Sequence, residues 1–134
     1  MGYMNPFTSE HEMFRKTVSE FVEREIEPNV EGWEEREEIP REIFEKLGKL
    51  GILGIRYDPK YGGSGLDFWY TLILCEELVK SRYIGVAVSI LMQCEMCTAA
   101  IHDEGSEALK QAFLIPAIKG ELLGCLGEIG RAHV

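Results

Sequence analysis

The run from about Val86 to Asp103 restricts this chain's fold more than any other feature. Wound at about 3.6 residues per turn, Val86, Ala87, Val88, Ile90, Leu91, Met92, Met96, Ala99, Ala100 and Ile101 leave almost no polar side. A helix apolar all round must be covered all round, so the rest of the chain and a second body are expected to pack against it. Its longest unbroken apolar part, Ile84 to Met92, falls short of the roughly 20 residues a membrane span needs. No membrane insertion is expected.

Helical spacing recurs on both sides of that run. Ser9 followed by Glu12 reads as a capping box. Phe14, Val18, Phe21, Val22 and Ile26 then form one apolar stripe. Pro28 should bend or interrupt this helix, with the pattern resuming toward Trp33 and Arg36. A second helix starts near Pro40, buries Ile43, Phe44, Leu47 and Leu50, and stops at Gly51. Gly51–Ile55 is a short apolar connector of unassigned conformation. Asp58-Pro59 and Gly62-Gly63-Ser64-Gly65 make the strongest break in the chain. Asp67 caps a third helix through Leu78, and Ser81 to Gly85 turns into the long apolar run. Ser106 caps a fifth helix through about Ile115, which Pro116 should disturb. Gly120 ends the helical region, and Leu122 to Leu126 is expected to begin a strand. The fold class is all-α, an up-and-down-like bundle of about five helices.

Charge excludes some partners. Lys and Arg total 14 against 23 Asp and Glu, a net of -9. Nine of the 23 acidic residues lie between Glu20 and Glu38, the densest acidic stretch and the pattern of a solvated helix face. With no basic cluster to neutralise phosphates, nucleic acid and anionic membrane surfaces are disfavoured. Met1 to Phe7 lacks the basic and apolar regions of an export signal. The four cysteines, Cys75, Cys94, Cys97 and Cys125, then read as free thiols in a reducing compartment, and a cytoplasmic location is expected.

The local motifs offer little chemistry of their own. Cys94-Glu-Met-Cys97 lacks the second ligand pair of a zinc site and the strand-to-helix setting of a redox pair. Gly62 to Gly65 reads as a tight turn, because a phosphate loop would not open its helix with Asp67. Glu76 and Glu77 are helix neighbours that point apart, with a solvated or salt-bridged role as the default. His11 is expected at the surface. Trp33, Trp69 and the tyrosines are expected in the core or an interface.

Taken in order, these segments form a family pattern. The sequence reads Phe21-Val22-Glu23-Arg24-Glu25-Ile26-Glu27-Pro28, Trp33, Ile39-Pro40, and Leu47-Gly48-Lys49-Leu50-Gly51-Ile52-Leu53-Gly54-Ile55. It continues with Tyr61-Gly62-Gly63-Ser64-Gly65-Leu66-Asp67, Glu76-Glu77-Leu78, Gly105-Ser106-Glu107 and Pro116-Ala117-Ile118-Lys119-Gly120-Glu121. The ordered set resembles the N-terminal helical domain of the acyl-CoA dehydrogenase family over residues 7–127, with 122–127 as the start of a middle β-domain.

The resemblance implies a three-part parent that binds FAD and desaturates an acyl-CoA thioester between Cα and Cβ. A glutamate from a later part of such a chain takes the α-proton while hydride leaves Cβ for the flavin, so no catalytic or cofactor-binding residue is assigned here. It also implies an acyl-CoA substrate, an electron acceptor flavoprotein and a homo-tetramer. Carried over from the Glu76-Glu77-Leu78 match, the acyl-pocket wall would be Ala87, Val88, Leu91, Met92 and Glu95. The last four share a helical face at i, i+3, i+4 and i+7. Glu95 departs from an apolar wall. CoA phosphates are expected to be met mainly by other domains.

The family's Thr-Glu-Pro flavin motif is expected just after Cys125-Leu126-Gly127, where Glu128-Ile129-Gly130-Arg131-Ala132-His133-Val134 stands instead. Ile129 to Val134 is the translation of ATCGGAAGAGCACACGTC, a string within a widely used short-read sequencing adapter. Residues 128–134 are therefore expected to be an artefactual tail on a gene fragment. The alternative is a free-standing acidic helical interaction module.

Overall fold

The computed structural model describes residues 6–127. The N-terminal residues 1–5 and the tail expectation at 128–134 lie outside the described residues.

The described residues are all helical bodies and connections, with no strand among them. Helix α1 (Ser9–Phe21) runs on through a π-helical turn, Val22–Ile26. Helices α2 (Val30–Arg36) and α3 (Arg41–Lys49) follow, then 3-10 turns at Ile52–Gly54 and Pro59–Tyr61. Helix α4 (Phe68–Val79) packs along α1. Helices α5 (Ile84–Leu91) and α6 (Thr98–Glu104) are joined without a break by a π turn, Met92–Cys97. The last body is α7 (Glu107–Leu109), a π turn at Lys110–Leu114 and α8 (Ile115–Ile118).

Two caps stand where the sequence places them. Asp67 accepts the Trp69 N–H at the start of α4, and Ser106 accepts the Leu109 N–H at the start of α7. The first cap differs. Thr8, not Ser9, is the N-cap, and its reciprocal partner is His11, not Glu12. The Thr8 N–H donates to His11 Nδ1 at 3.0 Å, so Nε2 carries the ring proton toward Asp67 Oδ1 at 3.4 Å. That role turns His11 inward, with its ring 4.3 Å from the Tyr70 ring. It is buried, contrary to expectation.

The prolines act through wide turns. Glu27 N–H reaches five residues back to the Val22 carbonyl, and Pro28 follows directly. Ile115 N–H reaches back to the Lys110 carbonyl, and Pro116 follows directly. A π turn displaces the carbonyl that a proline ring would otherwise strike. Pro116 therefore does not end the fifth helical body, which continues to Ile118.

The main core joins Val18, Val22, Trp33, Leu47, Leu74 and Ile90. A smaller cluster of Tyr57, Tyr61, Leu114 and Ile118 seals the last helical body against the glycine loop. That loop lies on residues 54–57: Ser64 N–H donates to Gly54 O, Gly65 N–H to Tyr57 O, and Leu66 N–H to Ile55 O. Gly62 and Gly65 have positive φ, and a Cβ on Gly63 would overlap the Tyr57 carbonyl. The tight-turn reading holds for a reason of close approach.

One expectation is corrected. Residues 122–126 make no strand; the segment is irregular. The long apolar helix, Ile84–Glu104, is buried on one side only, through Val86, Ala87, Ile90, Cys94 and Thr98. Ile84, Val88 and Met96 stand at the surface on its other side. At 21 residues it has the length and composition of a membrane span, longer than the apolar run alone indicated.

Candidate functional site

The side of Ile84–Glu104 that the bundle leaves open contains most of the residues expected to form an acyl-pocket wall. Val88 is 46% exposed, while Leu91 and Met92 are half-buried. Leu91 packs against the main core from its edge. Ala87 differs, being buried within that core. The structure thus groups Val88, Leu91, Met92 and Glu95 and sets Ala87 behind them. On neighbouring α4, its first and last residues, Phe68 and Val79, are also at the surface.

Glu95 ends this apolar face with charge. Its Oε2 lies 3.3 Å from Arg56 Nη1, and its Oε1 accepts from Thr71 Oγ1 at 3.1 Å. Arg56 follows the 3-10 turn at Ile52–Gly54, and its guanidinium lies 5.7 Å from the Tyr57 ring centre. A second carboxylate, Asp103, stands 4.0 Å from Arg56 Nη2. The half-buried Glu95 is thereby neutralised and hydrogen-bonded rather than stranded. The same charge is felt by Cys75, whose thiol is pushed up first by burial and then by Glu95.

The paired glutamates have a partner after all. Arg15 Nη1 lies 2.7 Å from Glu76 Oε2 and 2.8 Å from Glu77 Oε1. Lys80 Nζ reaches both oxygens of Glu77, which is completely enclosed. Burial pushes the Glu77 carboxyl up, and the hydrogen bonds from Lys80 and Arg15 outweigh it, leaving the group below its ordinary value. This cluster ties α1 to α4 and is structural.

The C-x-x-C lies inside the π turn. Cys94 is buried, with Sγ 3.9 Å from the Ile52 carbonyl, and its thiol is pushed up by burial. Cys97 is half-buried. Among the described residues no group of three or more His, Cys, Asp or Glu is placed to hold a metal. Trp33 is buried, as expected, whereas Trp69 is 40% exposed beside Phe7.

Sequence reading missed Arg56, Thr71 and Gln93. The signal was present for each, because a glutamate and a glutamine inside an apolar run both demand partners. Their partners lie too far along the chain to be named from spacing.

Comparison with known proteins gives one answer. The family model "Acyl-CoA dehydrogenase, N-terminal domain" matches residues 8–121. The short-chain specific acyl-CoA dehydrogenase of Clostridium acetobutylicum is 37% identical over 121 residues, covering 90% of this chain and 31% of the relative. The long-chain specific mitochondrial enzyme of Sus scrofa is 32% identical over 126 residues, covering 94% of this chain and 29% of its own length. Among solved structures, an acyl-CoA dehydrogenase from Geobacillus kaustophilus superposes with a TM-score of 0.79 at 35% identity, over 89% of this chain and 31% of that one. Butyryl-CoA dehydrogenase from Megasphaera elsdenii gives 0.78 at 31% identity, over 92% and 32%. The chain spans about a third of the length of these relatives. By its fold and by the match over 8–121, this chain belongs to the acyl-CoA dehydrogenase family, as its N-terminal helical domain.

Proposed function

We propose that this chain is the N-terminal part of an FAD-dependent acyl-CoA dehydrogenase, an oxidoreductase that desaturates an acyl-CoA thioester between Cα and Cβ. The family match over 8–121 carries this reading. Structures of relatives described as complexed with FAD and with FADH2 support flavin as the parent's cofactor. FAD, when bound in the parent, supplies the acceptor for the hydride. Arg15, Lys46, Arg56 and Lys80 are engaged by carboxylates of the same chain, and the net charge is -9, which does not favour a phosphate cradle here. The flavin and CoA contacts are therefore assigned to domains beyond this chain, as is the base. An electron acceptor flavoprotein and a homo-tetrameric assembly complete the reading of the parent, which is placed in the cytoplasm.

This domain's own contribution is a wall. Val88, Leu91 and Met92 present an apolar surface against which an acyl chain can lie, keeping water from the proton and hydride transfers. Glu95, locked by Arg56 and Thr71, closes that wall about two helical turns from Val88. Leu91→Ala in the complete enzyme is expected to shift kcat/KM toward bulkier or longer acyl groups. An unchanged chain-length profile would remove Leu91 from the pocket. The 134-residue chain alone is expected to bind no FAD and to have no activity. Flavin retained through desalting would overturn that assignment of the contacts to other domains.

A further inference from the structure

One imidazole closes the N-terminal ends of two helices at once. Helices α1 and α4 run side by side in the same direction, since His11 meets Asp67 and, further along both, Arg15 meets Glu76 and Glu77. His11 Nδ1 lies 3.0 Å from the Thr8 nitrogen, whose N–H donates to it, and 3.0 Å from Thr8 Oγ1. Thr8 Oγ1 in turn accepts the His11 N–H at 3.4 Å. On the other side of the ring, Nε2 lies 3.4 Å from Asp67 Oδ1, the same oxygen that accepts the Trp69 N–H at 2.9 Å. The imidazole is buried. Phe7 packs over this joint, its ring 5.9 Å from that of His11 and 5.7 Å from that of Trp69, edge to face with both.

The joint depends on a bare Nδ1. A ring nitrogen accepts a hydrogen bond only through a free lone pair, and imidazolium has none. A proton added at Nδ1 sets the ring N–H against the Thr8 N–H, 3.0 Å away. The new N–H can turn to Thr8 Oγ1, but the Thr8 amide loses its acceptor. Opposite, the Nε2–H gains charge toward the Asp67 carboxylate and is drawn to it. Acid thus weakens the ring's hold on the segment before α1 and strengthens its hold on α4. Asp67 is the charged group that α4 brings to the ring. On α1 itself the first-turn carboxylates are Glu10 and Glu12. Glu12 pairs with Arg15 at 3.7 Å, and the Arg15 guanidinium lies 5.0 Å from the Phe7 ring centre. Tyr70 of α4 packs on the imidazole at 4.3 Å, its phenol pushed up by burial first and then by Glu10 and Asp67.

We propose that His11 is a pH-sensitive clasp on the N-terminal end of the bundle. Neutral, it pins residues 6–8 to the start of α1 and holds Phe7 over Trp69. Protonated from solvent, it lets go of the Thr8 amide, and Phe7 leaves the Trp69 ring while α1 and α4 stay joined. The release is confined to this end, because Arg15, Glu77 and Lys80 hold the two helices together beyond it. Trp69 is already at the surface, so losing Phe7 uncovers an indole and does not open the core. Imidazole is the side chain whose ordinary charge change falls within the physiological range, which makes such a clasp reversible by modest acidification.

The test follows the nitrogen-15-labelled 134-residue chain by NMR from about pH 8 to about pH 5. At the alkaline end the His11 ring is expected as the Nε2–H tautomer with Nδ1 bare. As the ring gains its proton, exchange of the Thr8 amide, corrected for the intrinsic effect of pH, accelerates about tenfold, the loss of one hydrogen bond. The Trp69 indole resonance moves with the same midpoint, and amides in the middle of α1 and α4 keep their protection. His11→Gln supplies the neutral acceptor of an ordinary capping box. It is expected to keep the Thr8 amide protected throughout and to show no transition at either reporter. His102→Gln leaves both transitions in place. An Nδ1–H tautomer at the alkaline end overturns the proposal. So does Thr8 exchange that ignores the titration of the ring, a transition that persists in His11→Gln, or a ring that stays neutral across the range. The tautomer and the shared midpoint are read on the wild-type chain, so they decide the matter whether or not a variant folds.

Discussion

The Tyr57 hydroxyl lies 2.7 Å from Thr98 Oγ1, joining the segment before the glycine loop to the long helix inside a closed part of the core. Thr98 donates to the Gln93 carbonyl, and Tyr57 donates to the Cys94 carbonyl at 2.6 Å. Both carbonyls belong to the π turn Met92–Cys97, whose wide ladder frees them. The two hydroxyls therefore satisfy backbone groups that the irregular turn leaves buried.

Tyr57→Phe is expected to lower unfolding stability by about 1–2 kcal/mol, because the buried Cys94 carbonyl loses the closer of its two hydroxyl donors. Burial also pushes the Tyr57 phenol up to about 12. A phenol raised on folding stabilises fully below its unfolded value, about pH 10, and that contribution fades as pH rises toward 12. Tyr57→Phe should flatten that part of the alkaline profile. Urea titrations at neutral and alkaline pH measure both effects.

Acid should act through Glu77. Its folded value lies below the ordinary one, so its contribution is present above about pH 4 and is lost as pH falls through the lower folded value. Glu77→Gln removes that dependence and costs about 2–3 kcal/mol at neutral pH, less than a fully buried pair because Arg15 and Lys80 keep some solvent. Stability curves between neutral pH and pH 3 would show a shallower acid slope for the variant.

Gln93→Leu keeps the volume roughly constant and removes two hydrogen bonds to the segment leaving the bundle, at Leu122 and Gly124, and one to the Ala117 carbonyl in α8. The expected cost is about 1–2 kcal/mol, because the Ala117 carbonyl keeps the Gly120 N–H as a donor. Amide exchange at Gly124 should accelerate while exchange in α1 and α4 stays unchanged. Equal acceleration throughout would mean that Gln93 supports the whole bundle rather than its exit.

Gly63→Ala forces a methyl into the Tyr57 carbonyl, where only backbone can yield. A loss of about 1–3 kcal/mol is expected, seen as a lower Tm. Gly62→Ala meets no neighbour and carries only the strain of its positive φ.

Much of this architecture was legible in the chain itself. Apolar spacing located the helical bodies, and Asp67, Ser106, Gly51 and Gly62 to Gly65 marked their ends, because caps and turns are decided by residues within one turn of each other. Pro28 interrupts the first helix, and Pro116 disturbs the fifth by a π turn without ending it. A π turn can absorb a proline, and nothing in the local spacing announces one. At the first cap, Thr8 and His11 prevailed over Ser9 and Glu12, since the imidazole could cap the helix and also stack on Tyr70 across the bundle.

The proposed wall was legible only as a helical face. Periodicity set Val88, Leu91, Met92 and Glu95 in line, but it could not say which side of an all-apolar helix would turn inward. Tertiary packing buried Ala87 and left Val88 out. Glu77 finds Arg15 across 62 residues, and Glu95 finds Arg56 across 39. The sequence by itself determined where helices start, stop and turn, because those choices rest on neighbouring residues. Only the tertiary structure decided which faces meet and which buried charges are paired, because those energies depend on atoms brought together from distant parts of the chain.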